Sequence, residues 1–529
     1  MKAVILFVAT IFYFTDIAAQ NLSAYGFDVQ HYRFAIEVND RNDSIYGNAI
    51  IKFVAKKALT SIQLDLANIN SKGQGMRVTQ VAMNDAKLSF NHRANKLDVN
   101  FKKQIIKDDT VSINIIYSGI PSDGLIISSN KYNKRTFFAD NWPNRAHNWL
   151  PCADHPSDKA TVDFEVTAPQ QYQLIANGLQ VEESSLPGGR KLTRYAETVP
   201  LPTKIMVIGL AEFSAQSIGQ VGCVPVTAWV YADDRKKAEA AYKPAAEALE
   251  YMIDNVGPYA YSKLANVQSK TIFGGLENAN TIFYFENSVT GENENEALVV
   301  HEVAHQWFGN HATETEFAHL WLSEGFATYF THLYMEHKYG SDSLRKRMAN
   351  DQEGVIQYSK QQMKPVVDTS TRDYLKLLNP NSYEKGGWVL HMLRNTVGDS
   401  IFWKGIKNYY SIYAGKNAST EDFQKVMEQA SGKDLKTFFK QWLYTPGHPK
   451  LKVIQRYSNG KVEVSIEQQQ QTLFEFPLQV LIKTGTEMGD LTKSIVIKQK
   501  NTSFSIPLEK NPLAVIIDPQ VNLLFEQVR

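Results

Sequence analysis

Two histidines four residues apart, His301 and His305, bracket a glutamate in the run HEVAHQWFGN (His301 to Asn310). Apolar residues at Ala297, Leu298, Val300, Ala304 and Phe308 predict a helix from Glu296 to Phe308, which sets both imidazoles on one face, one turn apart. Two imidazoles at that spacing can grip one ion. Glu302 then points toward the same pocket without having to be a ligand, where a base acting on a metal-activated water must sit. A catalytic zinc normally takes three protein ligands, so one more must come from elsewhere. Glu324 is the candidate: WLSEGFATYF (Trp321 to Phe330) reads as a second helix, and a short connection would return its first turn beside His305.

The elements around this pair divide the chain. With 529 residues and 43% hydrophobic content, about three or four domains are expected. A net charge of +1 and the lack of long single-sign runs give no general field for nucleic acid or an anionic membrane, so neither is expected as a partner. From residue 20 to about 215, runs such as HYRFAIEV (His31 to Val38) and VSINIIYSG (Val111 to Gly119) alternate apolar with polar residues, as half-buried strands do. An all-β domain follows from that. Residues 216 to 446 are mainly helical in pattern, with Pro244 expected to kink or interrupt the helix of Asp233 to Gly257 and a capping box at Ser419 to Asp422. Residues 447 to 529 return to strands, with a hairpin signal at Asn459-Gly460, and predict a small β-sandwich. The polar run Gln468 to Gln471 reads as a solvated loop.

The spacing from the histidine pair to Glu324, together with HQWFGN and WLSEGFA, resembles the aminopeptidase N family of zinc metallopeptidases, whose pattern is H-E-x-x-H, eighteen residues, then Glu. The resemblance implies that His301, His305 and Glu324 bind one zinc ion and that Glu302 is general base and acid. It extends to GGLEN (Gly274, Gly275, Leu276, Glu277, Asn278), similar to the family's Gly-x-Met-Glu-Asn, an edge strand beside the substrate whose Glu binds the free amino terminus. Glu277 is thereby the expected amine anchor, with Gly274, Gly275 and Asn278 beside it. SYEKGG (Ser382 to Gly387) matches the family's Tyr-x-Lys-Gly, which makes Tyr383 the expected oxyanion donor. NWLPCADHPSDK (Asn148 to Lys159) resembles a segment of the family's first domain, and counting back from Pro151 puts two substrate-facing family positions on Asp140 and Trp142. Those positions hold Gln or Glu in the family; here Asp140 is either a substrate contact or a loop cap. By resemblance, the fold is multidomain α+β: a saddle-like β domain, a thermolysin-like catalytic domain, and a β-sandwich without the large helical domain that the family's better-known members carry at this end.

Residues 1 to 19 have the form of a secretory signal, with Lys2, an apolar run from Ala3 to Phe14, and Ala18-Ala19, so a secreted or periplasmic protein without stable membrane insertion is expected. Cys152 and Cys223 read as two buried free thiols. These observations favour a zinc aminopeptidase acting on peptides with a free amino terminus. A thermolysin-like endopeptidase shares the metal helix but has no need of GGLEN. A non-catalytic peptide-binding member would have no physical need to keep Glu302 beside a metal.

Overall fold

In a computed structural model, residues 25–485 and 489–528 are described. The signal-like residues 1 to 19 lie outside this range. Three β-sheets make up the first domain. The largest has eight strands in the spatial order Leu179–Leu186, Arg190–Pro202, Lys159–Pro169, Phe27–Glu37, Ile45–Ala55, Thr110–Ile120, Gly75–Met83 and Ala86–Lys87. Its strands alternate as the sequence predicts: Lys159–Pro169 buries every second residue, and Phe34 stacks on Phe164 across the parallel pairing with Phe27–Glu37.

The second domain opens at Phe213, with a five-stranded sheet of Phe213–Val221, Val224–Tyr231, Leu264–Gln268, Thr281–Tyr284 and Gly275–Leu276. Gly275–Leu276 is the edge, as expected for GGLEN. Its longer helices follow as α1 (Pro244–Asn255), α2 (Glu296–Ala304), α3 (Trp321–Tyr339), α4 (Ser341–Gln361), α5 (Gly386–Val397), α6 (Asp399–Tyr413) and α7 (Thr420–Ser431). Pro244 interrupts the helical run and takes the first position of α1, where its missing N–H is not needed. Ser419 and Asp422 form the reciprocal capping box at the start of α7.

The structure corrects three sequence expectations. Helix α2 ends at Ala304 and not at Phe308: Gln306 and Trp307 turn back to the carbonyls of Val303 and Ala304, and Gly309 follows at φ +108°. Cys152 is buried, but Cys223 lies exposed in a turn, and the two are unpaired. Gln468 is buried at the end of a strand, where its side chain ties Phe474 and the Gln499 carbonyl together. The strand's alternation, which buries Val462, Val464 and Ile466, carries on through Gln468, so the inward turn follows the period while the residue type reads as solvated.

The last region is a β-sandwich of a four-stranded and a three-stranded sheet, and Asn459 (φ 50°) and Gly460 (φ 71°) make its predicted tight hairpin. Among the described residues, no helix is long and apolar enough to cross a membrane.

Lysines stitch the seams between these domains through backbone carbonyls. Lys159 donates to the carbonyls of Asn310, His311 and Lys416, Lys263 to those of Ala176 and Gly178, and Lys385 to that of Gly447. Burial lowers all three ammonium groups to about 7. A lysine whose pKa is lower folded than unfolded binds fewer protons when folded, so its contribution to stability rises as pH climbs from about 7 toward about 10.5. The difference in urea midpoint between the native chain and Lys159→Met should therefore grow in favour of the native chain between about pH 7.5 and 9.5. A difference that stays constant with pH would contradict this burial.

Candidate active site

Helix α2 and the first turn of α3 bring three ligand atoms together. His301 Nε2 and His305 Nε2 lie 3.0 Å apart, and Glu324 Oε2 is 3.4 and 3.2 Å from them respectively. Around a tetrahedral zinc with bonds of about 2.05 Å, ligand atoms stand about 3.3 Å apart, so this triangle has the right size. His305 is oriented from behind: its Nδ1 faces the Phe308 carbonyl and Ser323 Oγ, each at 3.1 Å. With Nδ1 donating to that carbonyl, the Nε2 lone pair is left for a metal.

The charge of the pocket points the same way. Glu277, Glu302 and Glu324 are all buried around this triangle. Burial works against a charged His305, yet the carboxylates of Glu324, Glu277 and Glu302 push it up to about 10. Burial drives Glu302 well above the usual carboxylate range. Carboxylates buried this way are costly unless protonated or paired, and a divalent ion on two imidazoles and Glu324 would bring a positive charge among them.

Glu302 packs against the edge strand. A Cβ added to Gly275 would sit 2.1 Å from Glu302 Oε1, so only glycine lets this strand approach the carboxylate. Two residues of the HQWFGN turn hold the strand there: Gln306 Nε2 and Asn310 Nδ2 donate to the Glu277 carbonyl at 2.8 and 2.7 Å. Gln306 also accepts from the Asn280 backbone N–H through Oε1. Glu277 Oε1 is buried without a hydrogen-bond partner, and both polar atoms of the Asn278 side chain are in the same condition. An unsatisfied carboxylate oxygen beside the ligand triangle is an acceptor for an ammonium.

Tyr383 sits in a π-helical turn, Asn381–Lys385, with its ring parallel to that of His301 at 6.0 Å. Burial and the three carboxylates hold its phenol well above the ordinary value, so it stays a proton donor. That turn comes close because Gly325 of α3 meets Gly386 at the start of α5 backbone to backbone; a Cβ on Gly325 would lie 2.8 Å from Gly386 Cα.

These groups border a cavity of about 420 Å³. Trp142, Phe273, Leu276 and Leu378 give it an apolar wall. Asp140 is turned away from it. One of its oxygens pairs with Arg145, and the other accepts from Thr271 Oγ1 at 3.0 Å and the Ile272 N–H at 3.1 Å. It therefore clamps the loop that leads into Gly274 and works as the loop cap, not as a substrate contact. Ser323, Gln306 and Asn310 carry no assignment from sequence, since each works through a hydrogen bond to another group. His332 and Arg347 also reach the cavity without a sequence signal.

The chain is similar to known proteins in sequence and fold. Residues 28–205 match the Peptidase M1 N-terminal domain and residues 240–442 the Peptidase family M1 domain, together more than half of the chain. Human glutamyl aminopeptidase is 29% identical over 330 residues, which are 59% of this chain and 34% of that protein. The chain thus spans about a third of the length of the glutamyl aminopeptidases it matches. Leucine aminopeptidase 2 of Aspergillus niger is 26% identical, over 72% of this chain and 68% of its own. Among solved structures, an M1 zinc metallopeptidase from Deinococcus radiodurans is 25% identical with a TM-score of 0.69, over 80% of this chain and 95% of that one. Legionella pneumophila aminopeptidase A, at 17% identity, shares the fold with a TM-score of 0.80 over 96% of this chain and 60% of that one.

Adding a methyl group to Gly275 should push Glu302 from its place while leaving the ligand triangle intact. Gly275→Ala is expected to lower kcat by about 10²-fold at unchanged zinc content. Normal turnover in that variant would show that Glu302 does not depend on the edge strand.

Proposed function

This chain belongs to the M1 peptidase family, and from that footing we propose that it is a zinc aminopeptidase releasing single residues from the amino terminus of peptides. The observation that carries this reading is the unsatisfied Glu277 carboxylate beside the His301, His305 and Glu324 triangle. Zinc held there supplies Lewis acidity, lowering the pKa of a water toward about 7 and polarising a carbonyl. Glu302 takes the proton of the attacking water and passes it to the leaving amine. Its burial keeps the carboxyl able to carry that proton between the two events. The Tyr383 hydroxyl donates to the oxyanion that the attack creates.

Glu277 selects the chain end. Facing the substrate ammonium in a buried setting, it makes a charge-assisted contact that an internal peptide bond cannot offer. The signal-like residues 1 to 19 support a secreted or periplasmic place of action.

Two measurements test these roles. An amino acid anilide should be cleaved while its N-acetylated form is not; equal cleavage of both would replace the aminopeptidase by an endopeptidase. Tyr383→Phe should lose about 10² to 10³ in rate, chiefly in kcat. An unchanged kcat would remove Tyr383 from the chemistry.

A further inference from the structure

The cavity is asymmetric in charge. Its acidic end holds Glu277, Glu302 and Glu324. Helix α3 then leads away from the triangle, and Thr328 and Thr331, about one and two turns beyond Glu324, continue the cavity wall. Arg347 of α4 also borders the cavity, on the helix that His332 of α3 reaches two turns beyond Glu324. Among the described residues it makes no hydrogen bond or ion pair, whereas its neighbour Arg345 is paired with Asp342. Asp351, one helical turn along α4 from Arg347, is engaged by His332 Nε2 at 2.7 Å. Arg347 is thus a half-buried guanidinium on the cavity wall with no acidic partner.

We propose that Arg347 binds a carboxylate of the substrate on the leaving side of the scissile bond. A guanidinium presents a planar fork of donors that matches a carboxylate in two parallel hydrogen bonds. With the amine held by Glu277, the leaving portion runs along α3, away from the edge strand. Glu324 to Thr331 is about 10 Å of helix, and an extended peptide advances about 3.3–3.6 Å per residue. A carboxylate two or three residues past the scissile bond spans that distance. It comes either from the free carboxyl terminus of a tri- or tetrapeptide or from an acidic side chain at that depth.

The inference rests on the aminopeptidase reading, and the experiment separates the two. A leucine anilide has no residue on the leaving side and reports that reading alone. Leu-Gly-Gly and Leu-Gly-Gly-Gly, each as free acid and as carboxamide, report Arg347, and amidated versions with glutamate at the third or fourth position identify the source of the carboxylate. The native enzyme should favour a carboxylate-bearing peptide over its neutral counterpart by about tenfold in kcat/KM, mainly through KM. Arg347→Met keeps the aliphatic stem and should abolish that preference with anilide hydrolysis unchanged, while Arg347→Lys should restore part of it. A preference confined to the glutamate peptides assigns the site to an acidic side chain. Equal rates for charged and neutral peptides in the native enzyme, or a preference that survives Arg347→Met, would overturn the proposal. Silence toward the anilide would instead strike the aminopeptidase reading.

Discussion

Burying Glu277, Glu302 and Glu324 around two imidazoles is the condition on which the rest of this structure turns. Unpaired carboxylates taken from water are costly, and the pocket answers with a raised His305 and a ligand triangle of the size that a divalent ion fits. Each carboxylate then takes a different part because its surroundings differ. Glu324 points at both imidazoles, Glu302 lies against Gly275 without being a ligand, and Glu277 keeps one oxygen unsatisfied toward the cavity.

Holding those differences requires contacts from all sides. The HQWFGN turn fastens the edge strand to the metal helix through Gln306 and Asn310, and Lys159 of the first domain caps the carbonyls at the end of the same turn. Asp140 and Arg145 clamp the loop before Gly274 from the other side. The first domain therefore acts on the cavity chiefly by fixing the edge strand; Trp142, on the apolar wall, is its direct share of the cavity. Backbone contact between Gly325 and Gly386 sets how close Tyr383 stands to Glu324.

Much of this was legible from spacing. The pair of histidines, the return of Glu324, the capping box at Ser419 and the hairpin at Asn459-Gly460 are local patterns, and local patterns survive folding, while the edge position of Gly275 came from the family resemblance. What escaped depends on partners remote in sequence. Asp140 was ambiguous because Thr271 and Ile272 are 131 and 132 residues away, and Gln468 continues the inward face of its strand but is satisfied there by Phe474 and the Gln499 carbonyl, which its polar type does not announce. The early end of α2 reflects the burial of Trp307 and Phe308 in the core, which the apolar period alone reads as more helix. Arg347 gave no signal, since an arginine on a polar helix is ordinarily a solvated charge and only the cavity beside it says otherwise.

The central claim is that this triangle is a zinc site, and anomalous diffraction from crystals of the zinc-loaded protein tests it most directly. Data on both sides of the zinc absorption edge should show one peak, bounded by His301 Nε2, His305 Nε2 and Glu324 Oε2, that is lost in Glu324→Ala. A zinc-loaded crystal with no peak at that position, or with its peak held by other residues, would contradict the account.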